Sequence, residues 1–439
     1  MASQRSLRGL DWFAFFVADV QTAWGPFVAT YLTSVAWTQF DIGLILTIGT
    51  ITGLALQIPA GALVDRAPVK RLLAALAVAS ISASALLLAL WPIFSVVVAA
   101  KVLHAIASSL LGPTLVAMSL GLVGHALFSI RLGRNVRFLS LGNAIAAGVA
   151  GGIAYYYSNQ AIFFLTAALG IPTLIALAQI SSSEIDPELA RGGISKSGVD
   201  TWFDAIFGLV HHRVLIGFAA TIVLFQLANA AMLPILAGIL AKRDPETAAL
   251  VLSICILVPQ FVVVVIAPWI GVTAQSWGRR PLLLLTFVAL SARGAIFAVT
   301  SDPYLLVAAQ LLDGVSAASL GVLVPLIIAD VTRGSGHFNF AQGLIGAAVG
   351  IGASFSTTLA GFIADTSGAA IAFLLLACIG VAGLLFVFAL MPETRGAPSM
   401  SALGQKQTFA VQTGMSALPL KADMCGATRD ERTSTATIY

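Results

Sequence analysis

Twelve stretches of this chain, each roughly twenty residues long, carry almost no charge and are apolar on every face. A helix rises about 1.5 Å per residue, so each stretch is long enough to cross a hydrocarbon core of ~30 Å. The predicted spans are 11–33, 42–64, 72–91, 93–118, 136–157, 161–180, 214–240, 248–270, 282–300, 303–328, 339–363 and 369–391. The first is not a signal peptide, because its apolar run is too long, contains Asp19 and lacks a small-residue cleavage site. Charge makes up 10% of the 439 residues, against about 25% in an ordinary soluble domain. That is too little to cover a surface facing water. A soluble enzyme, a disordered protein and a nucleic-acid-binding domain are excluded. A β-barrel is disfavoured, since its strands would alternate polar and apolar residues. The fold class expected is an all-α membrane protein with twelve transmembrane helices.

The charges that do occur are sorted. Cytoplasmic loops of membrane proteins carry an excess of Lys and Arg. Of the 23 basic residues, all but four fall at the termini or in alternate loops, on one side of the membrane. Lys242 and Arg243 lie on the other side, and Lys101 and Arg293 lie inside spans. Both termini are therefore expected in the cytoplasm, with the protein an integral multi-pass component of a plasma membrane, such as a bacterial inner membrane. The longest internal polar stretch, 181–213, reads as a cytoplasmic linker. It separates an N-terminal six-helix bundle at 1–180 from a C-terminal one at 214–392. Its His211-His212 pair reads as an interfacial cap, because adjacent helical residues point about 100° apart and suit a shared metal poorly. Residues 393–439 read as a disordered cytoplasmic tail, polar and without apolar periodicity.

The two halves repeat each other at a nearly constant offset. Gln21 and Pro26 lie 208 residues before Asn229 and Pro234. Gly61 and Lys70 lie 210 before Gly271 and Arg280, and Lys101 and His104 lie 209 before Gln310 and Asp313. Six spans repeated in the same sense make a parallel pseudo-repeat, two pseudo-symmetric six-helix bundles, and place a substrate site between the halves near the midplane.

At the loop after span two the chain resembles the major facilitator superfamily (MFS). The family pattern Gly-x-x-x-Asp-Arg/Lys-x-Gly-Arg-Arg/Lys is met by Gly61, Asp65, Arg66 and Lys70, with Pro68 and Val69 departing from it. The second copy keeps Gly271, Gly278, Arg279 and Arg280 but has Gln275 at the acid position. The resemblance implies the MFS fold, alternating access, and a latch in this loop that shuts the cytoplasmic side. Independently of the family, Gly61 permits close helix approach. Asp65 can accept hydrogen bonds from Arg66, Lys70 or a neighbouring helix N-terminus. The competing reading is charge that serves topology alone. In span five, Gly151-Gly152 matches only the end of a glycine motif of antiporter members, and ordinary small-residue packing is the favoured reading.

Polar groups inside hydrocarbon need a partner or a task. In the resembled family, spans one, four, seven and ten line the central cavity. Asp19, Gln21, Lys101, His104, Gln226, Asn229, Gln310 and Asp313 fall on those spans. Lys101 and His104, one turn apart, share a face. Asp19 is the expected proton carrier, with a fixed salt bridge to Lys101 as its alternative. His104 is a second proton candidate, since imidazole titrates near neutrality, and its alternative is a core histidine. Asp313 and Arg293 are expected to pair. Gln21, Gln226 and Asn229 can bond a substrate or a neighbouring helix. Trp24-Gly25-Pro26 and Leu233-Pro234 are expected to kink their helices.

The function expected is secondary active transport of a small organic solute, by proton-coupled efflux. Its alternatives are an uptake symporter for a sugar or organic acid, and a non-transporting receptor or membrane enzyme. No cofactor is called for: the chain has no nucleotide-binding loop and no nucleophile–base cluster. Cys255, Cys378 and Cys425 have neither metal spacing nor a disulfide framework. The partners expected are the substrate, protons and the lipid bilayer, with no nucleic acid, and the protein is expected to be a monomer.

Overall fold

The structure, a computed structural model, describes residues 2–22, 24, 26–193, 212–243 and 245–395. Most of the predicted linker, His211 included, and the tail from residue 396 lie outside the described residues. Among those described, thirteen α-helices follow one another. The first half holds α1 Gln4–Thr22, α2 Pro26–Ser34, α3 Gln39–Arg66, α4 Lys70–Leu90, α5 Phe94–Tyr156 and α6 Asn159–Ala178. The second holds α7 Arg213–Asn229, α8 Met232–Arg243, α9 Pro245–Ser276, α10 Arg280–Val299, α11 Pro303–Val331, α12 Phe338–Ser367 and α13 Ala369–Leu390.

Among the described residues, ten segments are long and apolar enough to cross a membrane. The longest, α5, has 63 residues and would measure about 95 Å if straight, three times a hydrocarbon core. Its backbone leaves helical geometry at Gly124, where φ is 65° and ψ is 175°. Glycine reaches that region with little steric cost. Residues on either side of Gly124 form spans four and five, so predicted spans two to twelve are all found as helix, span seven as the pair α7 and α8.

Span one departs from expectation. It is split into α1 and α2, begins at Gln4 rather than residue 11 and is not among the ten apolar segments. Arg5, Arg8, Asp11 and Asp19 interrupt its apolar character. The expected breaks are present in both halves: α1 gives way to α2 around Trp24, and α7 to α8 between Asn229 and Met232. Pro26 and Pro234 fall in the first turn of the helix that follows, where proline removes no intrahelical bond.

Buried apolar side chains form two clusters. One is drawn from residues between Leu10 and Ala190. The other runs from Leu215 to Met391 and takes in Ala62, Leu120, Phe128 and Leu132 of the first half. The halves meet along two seams, α3 against α12 and α5 against α9. Both are tightest at the end carrying the basic loops, called the basic end below. A methyl group added at Gly61 would overlap the carbonyl of Asn339, and one at Gly271 would lie 2.6 Å from the carbonyl oxygen of Ser129. Beyond α6 the chain makes two short turns, Ser182–Glu184 and Leu189–Arg191, against this end. Ser3 donates its backbone N–H to Glu184 at 2.8 Å and holds that carboxyl below its ordinary range. The Asp186 N–H donates to the Gly121 carbonyl at 3.1 Å.

Candidate functional site

The first turn of a helix presents backbone N–H groups with no intrahelical partner and carries a partial positive charge. At the basic end, the first turn of α12 meets Asp65 from the last turn of α3. One Asp65 carboxylate oxygen accepts from the backbone N–H of Asn339 at 3.0 Å and from its side-chain amide at 2.8 Å. The other accepts from the Phe340 N–H at 2.8 Å. Asp65 is only 8% exposed, and Gly61, one turn earlier, removes the bulk that would keep the helices apart. Lys70 does not pair with the carboxylate. Its ammonium donates to the end of α3 instead, at the carbonyls of Val64, Asp65 (3.2 Å) and Ala67 (2.8 Å). Arg66 is exposed. The Asn339 amide also reaches the Ala190 carbonyl at 3.0 Å, which ties the turn after α6 into the same contact.

The second copy of the loop is built differently. Gln275 donates its side-chain amide to the Ala126 carbonyl at 3.0 Å. Arg279 forms an ion pair with Asp330 of α11 at 2.8 Å. Gly278 takes a left-handed φ of 93°, turning the backbone so that the N–H groups of Arg279 and Arg280 donate to Glu393 at 2.9 and 3.0 Å. Arg280 also caps the Phe388 carbonyl.

A cavity of about 440 Å³ lies between the halves, walled by α1, α3 and α5 on one side and α12 on the other. It starts just beyond the contact of Asp65 with α12, since its α3 residues, Gly49 to Gln57, precede Gly61 and its α12 residues, Gly346 to Ser354, follow Gly343. Gln21, Lys101 and His104 line it, with Ser108 and Ser109. The His104 ring stacks on Trp24 at 4.2 Å between centroids and 16° between planes, and its Nε2 is 3.0 Å from the Ser108 hydroxyl. The Lys101 ammonium donates to the Trp24 carbonyl at 3.3 Å and sits 5.6 Å from the indole centre. Lys101 thereby holds the break between α1 and α2.

Other predicted site residues lie elsewhere. Asp19 lines a separate pocket of about 80 Å³ between α1, α5 and α6, beside Ala146, Ala150 and Thr166. It is 6% exposed, and its Oδ1 is buried with no hydrogen-bond partner among the described residues. No ion pair joins it to Lys101 among the described residues. Helical spacing explains the separation: Asp19 and Gln21 are about 200° apart around α1, so they cannot share a face. In the second half Arg293 pairs with Asp313, as expected, and donates to the side-chain Oδ1 of Asn229 at 2.6 Å. Gln226 packs against α12 at Gly352. Gln310 is buried, with its Oε1 unpartnered among the described residues.

Three contributors were not singled out from sequence. Asn339 completes the contact with Asp65, and its one signal was an amide at the predicted start of span eleven. Asp11 accepts from both Arg131 and Arg134 at 2.6 Å, although those arginines had read as topological charge. Glu393, assigned to the tail, caps α10. Among the described residues no three His, Cys, Asp or Glu side chains converge as a metal site.

The family model described as Major Facilitator Superfamily matches residues 12–262 and 218–422. An uncharacterised MFS-type transporter of Mycobacterium tuberculosis is 38% identical over 395 residues, 89% of this chain and 94% of that protein. A class B tetracycline resistance protein of Escherichia coli is 33% identical over 104 residues, 24% of this chain and 25% of its own. Among solved structures, the proton:xylose symporter XylE bound to 6-bromo-6-deoxy-D-glucose superposes with a TM-score of 0.67 at 15% identity, covering 92% of this chain and 98% of that one. The human organic anion transporter MFSD10 superposes with a TM-score of 0.64 at 12% identity, covering 88% and 99%.

Proposed function

This chain belongs to the major facilitator superfamily and is a membrane transporter, not an enzyme; from that premise we propose that it exports a small organic solute by proton-coupled alternating access. The observation that carries the reading is the cavity between the halves with a seal at one end only a turn or two away. In this reading the basic end is cytoplasmic, with both termini there, because the Lys and Arg bias of the loops points that way. The conformation is then closed to the cytoplasm, with Asp65 on the α12 N-terminus as the latch. Export is favoured by the partial match to a tetracycline resistance protein, since a transporter confers resistance most directly by expelling the compound. The working unit is a monomer in a plasma membrane, such as a bacterial inner membrane.

Asp19 is the proton carrier in this scheme. A carboxylate buried without a counter-charge is costly, and a proton removes the charge that its pocket leaves unpaired. The proton site and the solute cavity then lie on opposite sides of α1, and α1 itself couples them through its break at Trp24. The test is flux in proteoliposomes. Asp19→Asn is expected to abolish accumulation driven by an imposed pH gradient while leaving solute exchange at equal pH intact. Undiminished pH-driven accumulation in that variant would reject Asp19 as the carrier.

A further inference from the structure

Among the described residues lining the cavity, Lys101 is the one with a formal charge. No carboxylate pairs with it among the described residues, and its partner is the Trp24 carbonyl. The other cation buried inside a span, Arg293, is neutralised by Asp313. The difference between the halves follows from the repeat: where the second half places Asp313 one turn after Gln310, the first places His104 one turn after Lys101. The cavity therefore holds a positive charge without a counter-charge among the described residues.

A primary ammonium has three N–H donors, and one is used on Trp24. A buried ammonium without an anion is unfavourable, so a ligand supplying one gains where a neutral or cationic ligand does not. Around Lys101 lie the donors and acceptors of Gln21, Ser108 and Ser109, while Leu54, Ala105 and Val349 give the cavity an apolar wall. Its volume, about 440 Å³, falls in the range of small-molecule sites. We propose that the transported solute is a small organic anion, a carboxylate or sulfonate with an apolar body, whose charged group is held by Lys101. This rests on the transporter reading above and names its substrate class. Lys101 would then have two roles: with the site empty it holds the α1–α2 break, and a bound anion competes for its ammonium.

The probes are naphthalene-2-sulfonate, the neutral naphthalene-2-sulfonamide and naphthyl-trimethylammonium, which share one apolar body. With the full-length protein in nanodiscs, the sulfonate is expected to bind about tenfold or more tighter than either of the others, the scale of a hydrogen bond to a charged group. Lys101→Gln, which keeps a donor for Trp24, is expected to remove that preference and leave sulfonamide binding unchanged; the latter also reports that the variant is folded. Lys101→Arg is expected to preserve it. Equal or tighter binding of the sulfonamide or the ammonium by the unmodified protein overturns the inference, and so does a sulfonate affinity unaltered by Lys101→Gln. Flux in proteoliposomes separates this from the transporter reading. Sulfonate bound through Lys101 but never moved under an imposed pH gradient would overturn the anion as the exported solute and leave only an anion-binding site. Movement of the ammonium or the sulfonamide alone would overturn the anion class and leave the transporter reading standing.

Discussion

The two copies of the loop motif hold the halves together by different physics. Across the α3–α12 seam, Asp65 offers a carboxylate to three N–H groups at a helix N-terminus, a charge-assisted contact reinforced by the helix dipole. Across the α5–α9 seam, Gln275 offers one neutral amide to one carbonyl. Glycines bring both pairs of helices close, so the seams are alike sterically and unlike electrostatically. One seam thus holds a charged contact and the other packs around neutral groups. In the proposed scheme the first acts as a latch and the second as a hinge, so alternating access breaks the first more than the second.

The most severe way to break the comparison is steric. Gly61→Val puts a branched side chain where even one methyl would overlap the Asn339 backbone. Overpacking of this kind costs about 1–3 kcal/mol, concentrated on the closed state. Transport is expected to fall more than about tenfold. Maleimide labelling from the basic end of a cysteine introduced at Gln57, in a background without Cys255, Cys378 and Cys425, is expected to rise. Unchanged labelling would mean that Gly61 does not bear on the seal.

Removing the charge alone is the next test. Asp65→Asn keeps the shape of the side chain but loses the interaction with the α12 N-terminus. Such an interaction reaches ~2 kcal/mol in partly buried geometry, which shifts a two-state population about 30-fold. The expected outcome is normal insertion, impaired transport and a basic end that spends more time open, read as the distance between spin labels on α3 and α12. An unshifted distance distribution would leave Asp65 with a topological role only.

How far these features can be read in the sequence depends on whether they are local. Eleven spans were legible because long uncharged runs have few alternatives in a bilayer. The breaks at Trp24 and Met232 were legible because proline acts on its own helix. Lys101 and His104 were placed on one face by their spacing, and the same rule separates Asp19 from Gln21 once it is applied to that pair. The partner of Asp65 was not legible in the same way. Asn339 lies 274 residues along the chain, and nothing in an apolar run fixes how α3 slides against α12. Trp24 as the partner of Lys101 escaped for a similar reason, since it depends on where α1 breaks relative to span four. The extra length of α1 was hidden because its first residues are charged, although they still form helix.

The mildest variant sharpens the comparison most, because the two seams then predict different outcomes for equivalent positions. Gln275→Ala deletes one neutral hydrogen bond from a half-exposed side chain. A bond of that kind contributes about 1 kcal/mol or less, roughly a fivefold shift at most and several times smaller than that of Asp65→Asn. The packing of Gly271 and Gly133 against Ser129 and Ala267 survives the change, so the α5–α9 seam is expected to stay shut. Distances between labels on α5 and α9 should therefore barely move while transport continues. The two seams share no side chain at these positions, so the double variant Asp65→Asn/Gln275→Ala should show close to the sum of the single effects. A Gln275→Ala effect as large as that of Asp65→Asn would erase the distinction between latch and hinge. A double variant far from additive would mean that the seams open as one unit, with the neutral copy carrying as much of the gate as the charged one.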